Sequence, residues 1–83
     1  MTDLNNKVAV VTGTASGIGK AIATSFVNSG ANVVLSDVNE ELGEQVCADL
    51  QKTNPSVTFV KADVSKEEDV KNVIQTAEKK FNT

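Results

Sequence analysis

Three places along this chain carry residues whose types and spacing could hold a phosphorylated ligand. The first is Thr12-Gly13-Thr14-Ala15-Ser16-Gly17-Ile18-Gly19, directly after the apolar run Lys7-Val8-Ala9-Val10-Val11. The second is Asp37, closing Val33-Val34-Leu35-Ser36, and the third is Asp63-Val64, after Val57-Thr58-Phe59-Val60. A β-branched strand that feeds a glycine-rich turn and then a helix N-terminus suits an anion. The first-turn N–H groups have no intrahelical acceptor, and the helix dipole favours negative charge beside them. Glycines let the chain turn sharply and keep Cβ atoms out of the ligand's way.

The glycine spacing narrows the chemistry. Glycines at 13, 17 and 19 read G-x-x-x-G-x-G, which departs from the G-x-G-x-x-G dinucleotide fingerprint. A P-loop is excluded, since it would need Gly at 14 and Ser or Thr at 21, where Thr14 and Ala21 stand. A glycine turn alone can simply be a tight turn with close helix–sheet packing. Asp37 adds to it, lying 18 residues after Gly19, where a dinucleotide fold places the acid for a ribose diol. A carboxylate there accepts from both hydroxyls and repels a 2′-phosphate, so NAD is expected over NADP. Neither Ser16 nor Val38 beside it supplies a cation. The competing reading makes Asp37 a solvated strand-end acid or a cap for the next helix. Asp63 could accept from an adenine amino group while Val64 covers the ring.

These residues need a scaffold that brings them to one edge. Val8 to Val11 is apolar on both faces, as a central parallel strand should be. A helix opens at about Gly17, with Ile18, Ala21, Ile22, Ser25 and Phe26 as its expected inner face and Gly30 just past its end. Asn39 is expected to cap a second helix that turns Leu42, Val46, Cys47 and Leu50 inward, with Pro55 stopping it. Ser65 and Glu68 read as a capping box for a third, with Val70, Val73, Ile74, Ala77 and Phe81 on one face. The chain thus reads βαβαβα, an α/β partial Rossmann-type unit. Its three parallel strands should lie in the order 3-2-1 with helices on both faces. Residues 1–83 are expected to form the N-terminal half of a dinucleotide-binding domain, with no second domain.

Composition removes several alternatives. Eight lysines, no arginine and eleven carboxylates give a net charge of −3, with no basic cluster to track nucleic acid. Histidine is absent and Cys47 is the one cysteine, which excludes histidine-based catalysis, a disulfide framework within the chain and cysteine zinc clusters. Cys47 reads as a small core residue and Lys20 as solvated. Met1–Asn6 has no signal-peptide character, and no apolar run approaches the ~20 residues of a membrane span. A cytoplasmic protein is expected.

Taken together, the motifs resemble the short-chain dehydrogenase/reductase family. Thr12 to Gly19 matches its T-G-x-x-x-G-I-G, Asp37 its acid after the second strand, and Asp63-Val64 its D-V pair after the third. The resemblance implies that Gly13, Ser16, Gly17, Ile18 and Gly19 hold the pyrophosphate and adenosine ribose. It assigns the ribose hydroxyls to Asp37, with Val38 flanking that site, and the adenine to Asp63 and Val64. It also implies an oxidoreductase moving a hydride between NAD and an alcohol or carbonyl.

The family continues for roughly 250 residues in one large domain, through N-N-A-G, a catalytic serine and Y-x-x-x-K. None of these occurs here, and the chain contains no tyrosine. No catalytic residue or metal ligand is therefore assigned, and the expectation is a cofactor-binding part that is inactive alone. A stand-alone adenine-nucleotide module is the alternative. An S-adenosylmethionine site is disfavoured by the glycine spacing. A first strand with an unpaired edge is expected to drive self-association.

Overall fold

A computed structural model describes residues 7–81. The lead-in Met1–Asn6 lies outside the described residues. The elements alternate as β1 (Val8–Thr12), α1 (Gly17–Asn28), β2 (Asn32–Asp37), α2 (Glu40–Gln51), β3 (Val57–Lys61) and α3 (Glu67–Phe81). The strands form one parallel sheet in the order β1-β2-β3. β2 is central and covered on both faces, which is why Val33, Val34, Leu35 and Ser36 are all buried.

The pleat of β2 sorts the core into two clusters. Val33 and Leu35 join Ala23 and Val27 of α1 and Val46, Cys47 and Leu50 of α2. Val34 points the other way and packs with Ala62, Val73 and Ala77 beneath α3. Helices therefore cover both faces, as expected. Leu35 is the largest fully buried side chain, and burying a side chain of its kind contributes about 1.5–3 kcal/mol.

The first helix is rotated from its expected orientation. Gly19, Ala23 and Val27 face the sheet, while Ile18 is 78% exposed and Ile22 is also exposed. The cause is Gly19. A Cβ there would collide with the Gly13 carbonyl oxygen and crowd Thr14 Cα, so only glycine lets the helix press so closely on the turn. That contact sets the inward face at i, i+4, i+8, and the isoleucines turn outward.

A similar close approach corrects α2. Gly43 lies against the Phe59 ring, and Leu42 is exposed instead. Asn39 caps α2 as expected, its Oδ1 accepting from Leu42 N at 3.0 Å, with Glu40 and Glu41 in the first turn.

The third correction is at α3. The Ser65 hydroxyl donates to Asp63 Oδ1 at 2.6 Å, so it makes no capping box with Glu68. Asp69, in the first turn, reaches back and accepts from Asp63 N at 2.8 Å. Val73 and Ala77 are buried as expected, and Ile74 is exposed.

Gly19→Ala is expected to destabilise the fold by about 1–3 kcal/mol, because the obstacle is backbone and cannot rotate away. Alanine's better helix propensity, worth about 1 kcal/mol, offsets only part of that. Urea unfolding measures it, and a loss under about 0.5 kcal/mol, the scale of an ordinary surface substitution, would mean that the turn yields.

Candidate functional site

The glycine turn, Asp37 and Asp63-Val64 all lie at the carboxyl edge of the sheet, where open α/β folds take their ligands. Gly13 leaves β1 with φ +68°, a conformation that L side chains rarely adopt. Its carbonyl then accepts from Ser16 N at 3.1 Å and Ser16 Oγ at 2.7 Å, which closes the turn. The same Ser16 oxygen accepts from Gly19 N at 3.1 Å and so caps α1. Of the first three helical N–H groups, Gly19's is thereby used. Those of Gly17 and Ile18 have no intrahelical acceptor. A Cβ on Gly17 would meet nothing within 4 Å, so the space that this glycine keeps open lies outside the protein.

The turn is also tied sideways to β2. Thr14 is fully buried, and its N and Oγ1 both donate to the Ser36 carbonyl, at 3.3 and 3.4 Å. Ala15 N donates to Asp37 Oδ2 at 2.8 Å, and Asn39 N to Asp37 Oδ1 at 2.8 Å. Asp37 therefore buttresses two loops at once. An ionised carboxylate has about four acceptor positions, and two are taken here. The strand-end structural role and room for a further donor coexist.

On the β3 side, Asp63 Oδ1 accepts from both Ser65 N at 2.9 Å and Ser65 Oγ at 2.6 Å. These hydrogen bonds, the hydroxyl's first, hold its carboxyl below its ordinary pKa. A hollow of about 260 Å³ runs between the two acids, from Gly13 and Ser36 across to Ala62 and Val64. Exposed apolar side chains rim it, Val38 at 59% and Val64 at 56%. An adjoining hollow of about 430 Å³ brings Lys61 and Lys66 beside Asp63 and Asp69. A wider recess of about 600 Å³ at the opposite edge is lined in part by Asn28, Asn32 and Asn54, of which Asn54 is bonded to Ala31 O and Ser56 N.

Every residue that the sequence offered as a cofactor contact thus lies at this one edge, Ile18 in the first turn of α1. Cys47 does not, being buried beneath α2. Burial, with Glu44 second, pushes its thiol pKa up, as suits a core residue. Thr14 and Ser36 were missed. A serine inside the otherwise apolar run of β2 was a visible signal, whereas Thr14 carried none. Among the described residues, no group of three or more metal-ligating side chains occurs, and no helix is long and apolar enough to cross a membrane.

A parallel α/β sheet with its glycine turn and strand-end acids on the carboxyl edge has the architecture of a dinucleotide-binding fold. The family model for short chain dehydrogenases matches residues 7–83, and the chain belongs to that family. It is 47% identical over 78 residues to short chain aldehyde dehydrogenase 1 of Euphorbia lathyris, covering 94% of this chain and 27% of that protein. It is 46% identical over 74 residues to the mitochondrial borneol dehydrogenase of Lavandula x intermedia, covering 89% of this chain and 27% of that one. A crystal structure of a short chain dehydrogenase/reductase from Burkholderia phymatum in complex with NAD superposes with a TM-score of 0.93 at 32% identity. It covers 100% of this chain and 30% of that one. The chain therefore spans about a quarter of the length of the curated relatives it matches.

Ser65→Ala should raise the Asp63 pKa toward the ordinary carboxylate range, as followed by its carboxyl carbon shift. The depressed folded value means that the Asp63–Ser65 contact stabilises the loop above the unfolded pKa, and that this is lost as pH falls through the folded pKa. An unchanged titration in the variant would remove Ser65 as the cause.

Proposed function

We propose that this chain binds the ADP-ribose portion of NAD, and that residues 1–83 act as the N-terminal half of a dinucleotide-binding domain. The observation that carries the reading is the pair of N–H donors at Gly17 and Ile18 without an intrahelical acceptor, beside the space that Gly17 leaves open, on a turn that Asp37 itself ties down. The fit is physical. The donors and the α1 dipole suit a pyrophosphate. Gly13, Ser16 and Gly19 shape the turn that presents them. Asp37 keeps acceptor capacity for ribose hydroxyls, with Val38 beside it, and Asp63 keeps it for an amino group. The hollow between them has the apolar rim, Val38 and Val64, that a flat ring needs.

When bound, the dinucleotide supplies a nicotinamide that gives or takes a hydride. The residues here hold its other end. Hydride exchange with an alcohol or carbonyl also needs a proton donor at the substrate oxygen, and this chain has neither tyrosine nor histidine to serve. We assign the proposed activity to the whole dehydrogenase and expect no turnover from these residues alone. A cytoplasmic location belongs to the same proposal.

NAD is preferred over NADP because the Asp37 carboxylate repels a 2′-phosphate. Lys61 and Lys66 stand close by, but they share their hollow with Asp63 and Asp69, which balance their charge. Calorimetric titration should give weak NAD binding and weaker NADP binding. Equal affinities, or no loss of NAD binding in Asp37→Ala, would remove the role given to Asp37. Gly17→Ala should leave thermal stability within about 0.5 kcal/mol of the wild type. It should weaken NAD binding about tenfold or more, by placing a methyl where the anion approaches.

We also propose self-association through β1. Among the described residues it pairs only with β2, and Val10, on the α3 side of the sheet, is 44% exposed. Sedimentation should show a dimer or larger species that dissociates on dilution. A monomer at every concentration would refute this.

A further inference from the structure

The open edge of β1 has a pattern that selects how a second strand can join it. Asn32 N donates to Lys7 O, which fixes the phase of this parallel ladder. Lys7, Ala9 and Val11 turn their N–H and C=O groups toward β2, and Val8, Val10 and Thr12 turn theirs to the open edge. Val8–Thr12 carries no charge and no proline, and its register against β2 runs without a bulge. Charge, proline and bulges are the devices by which sheet edges ordinarily avoid one another. The side chains add a second asymmetry. Ala9 and Val11 pack with the α1 and α2 cluster, whereas Val8 and Val10 lie on the α3 side, with Val10 44% exposed. The helix on that side, α3, packs on β1 and β2 and leaves its own Ile74 49% exposed.

We infer that two copies of this chain pair β1 to β1, antiparallel, across a two-fold axis at Val10, and so form one six-stranded sheet. This rests on the self-association proposed above and gives it a register. A two-fold perpendicular to the sheet sets Val10 opposite the second copy's Val10, and Val8 opposite its Thr12. All the facing pairs are then of the hydrogen-bonded kind, so each outward N–H of β1 meets an outward C=O. The β-branched Val8, Val10 and Thr12 face one another across the seam, where such side chains pack well. Charge favours the same arrangement, because Lys7 comes opposite Gly13 rather than another lysine. An in-register parallel pairing would set Lys7 against Lys7. It would also put the two α3 helices on opposite faces and leave each Val10 uncovered. Five residues from each copy make a small contact beside the ~800 Å² per partner of a stable interface, so the pair should dissociate on dilution.

The test uses the full chain at concentrations where sedimentation shows association, with single cysteines introduced and oxidised glutathione as the oxidant. Hydrogen-bonded neighbours in an antiparallel pair lie about 5.5 Å apart at Cα, within disulfide reach, so Val10→Cys should give a cross-linked dimer. Thr12→Cys should not, because the two Thr12 positions fall four residues out of step, about 14 Å apart. The wild type, whose buried Cys47 is its only cysteine, should stay uncross-linked. Val10→Lys, which opposes two like charges at the axis, should raise the dimer dissociation constant about tenfold or more. Cross-linking at Thr12, or at neither position while sedimentation still shows a dimer, would overturn the inference and leave self-association standing. Unchanged dissociation in a folded Val10→Lys chain would overturn it as well. A monomer at every concentration would remove the self-association and this register together.

Discussion

The contact between Gly19 and the Gly13 carbonyl is the constraint on which the carboxyl edge depends. Two backbone segments, the end of β1 and the first turn of α1, approach to a distance that no side chain permits. Because they do, Ser16 can reach both ways, donating to Gly13 O and accepting from Gly19 N. The cap, the turn and the helix orientation then follow as one unit. So does the availability of the Gly17 and Ile18 N–H groups, since Ser16 satisfies the third donor and leaves the first two. A bulkier residue at 19 would push α1 off the turn and disperse those donors.

Asp37 shows how one residue can serve structure and a ligand without conflict. Its two oxygens accept from Ala15 and Asn39, locking the turn after β1 to the turn after β2. These bonds fix where the carboxylate sits before any ligand arrives. A ribose diol that uses its remaining acceptor positions would therefore meet a group already ordered, with little side-chain entropy left to lose. The strand-end role that these bonds give Asp37 and the proposed ribose contact therefore do not exclude each other. Asp63 repeats the pattern on the next loop, held by Ser65 through one oxygen.

What could be read from the sequence divides along a physical line. Strand and helix order, the parallel sheet and the carboxyl-edge grouping follow from apolar runs, periodicity and caps, which are local signals. Asn39, which caps α2, and Gly30, which takes φ +88° just past α1, were legible for that reason. The inward face of α1 was not, because hydrophobicity placed Ile18 and Ile22 inside while a backbone contact across the turn placed Gly19 there. A glycine's value as an absence does not register in an apolar count. Gly43 displaced Leu42 in the same way, against the Phe59 ring. Ser65 misled for a different reason. It has a capping residue's identity, but Asp63 two positions earlier competes for its hydroxyl and wins at 2.6 Å.

The two edges of the sheet differ less in composition than in how fully their polar groups are satisfied. At the amino edge, Asn54 joins Ala31 O to Ser56 N, Gln51 Nε2 donates to Val57 O, and Asn32 N donates to Lys7 O. These polar groups close on one another across the recess. At the carboxyl edge the open demands collect: the Gly17 and Ile18 donors, the Ser36 hydroxyl, and the exposed apolar surfaces of Ile18, Val38 and Val64. The buried Ser36 hydroxyl and the bare apolar area cost the free fold something, whereas water meets the two N–H donors until a ligand replaces it. A small three-stranded unit has little stability to lose, so their concentration on one edge is itself informative. One ligand with an anionic middle and a flat apolar end would answer the two donors and the apolar rim together.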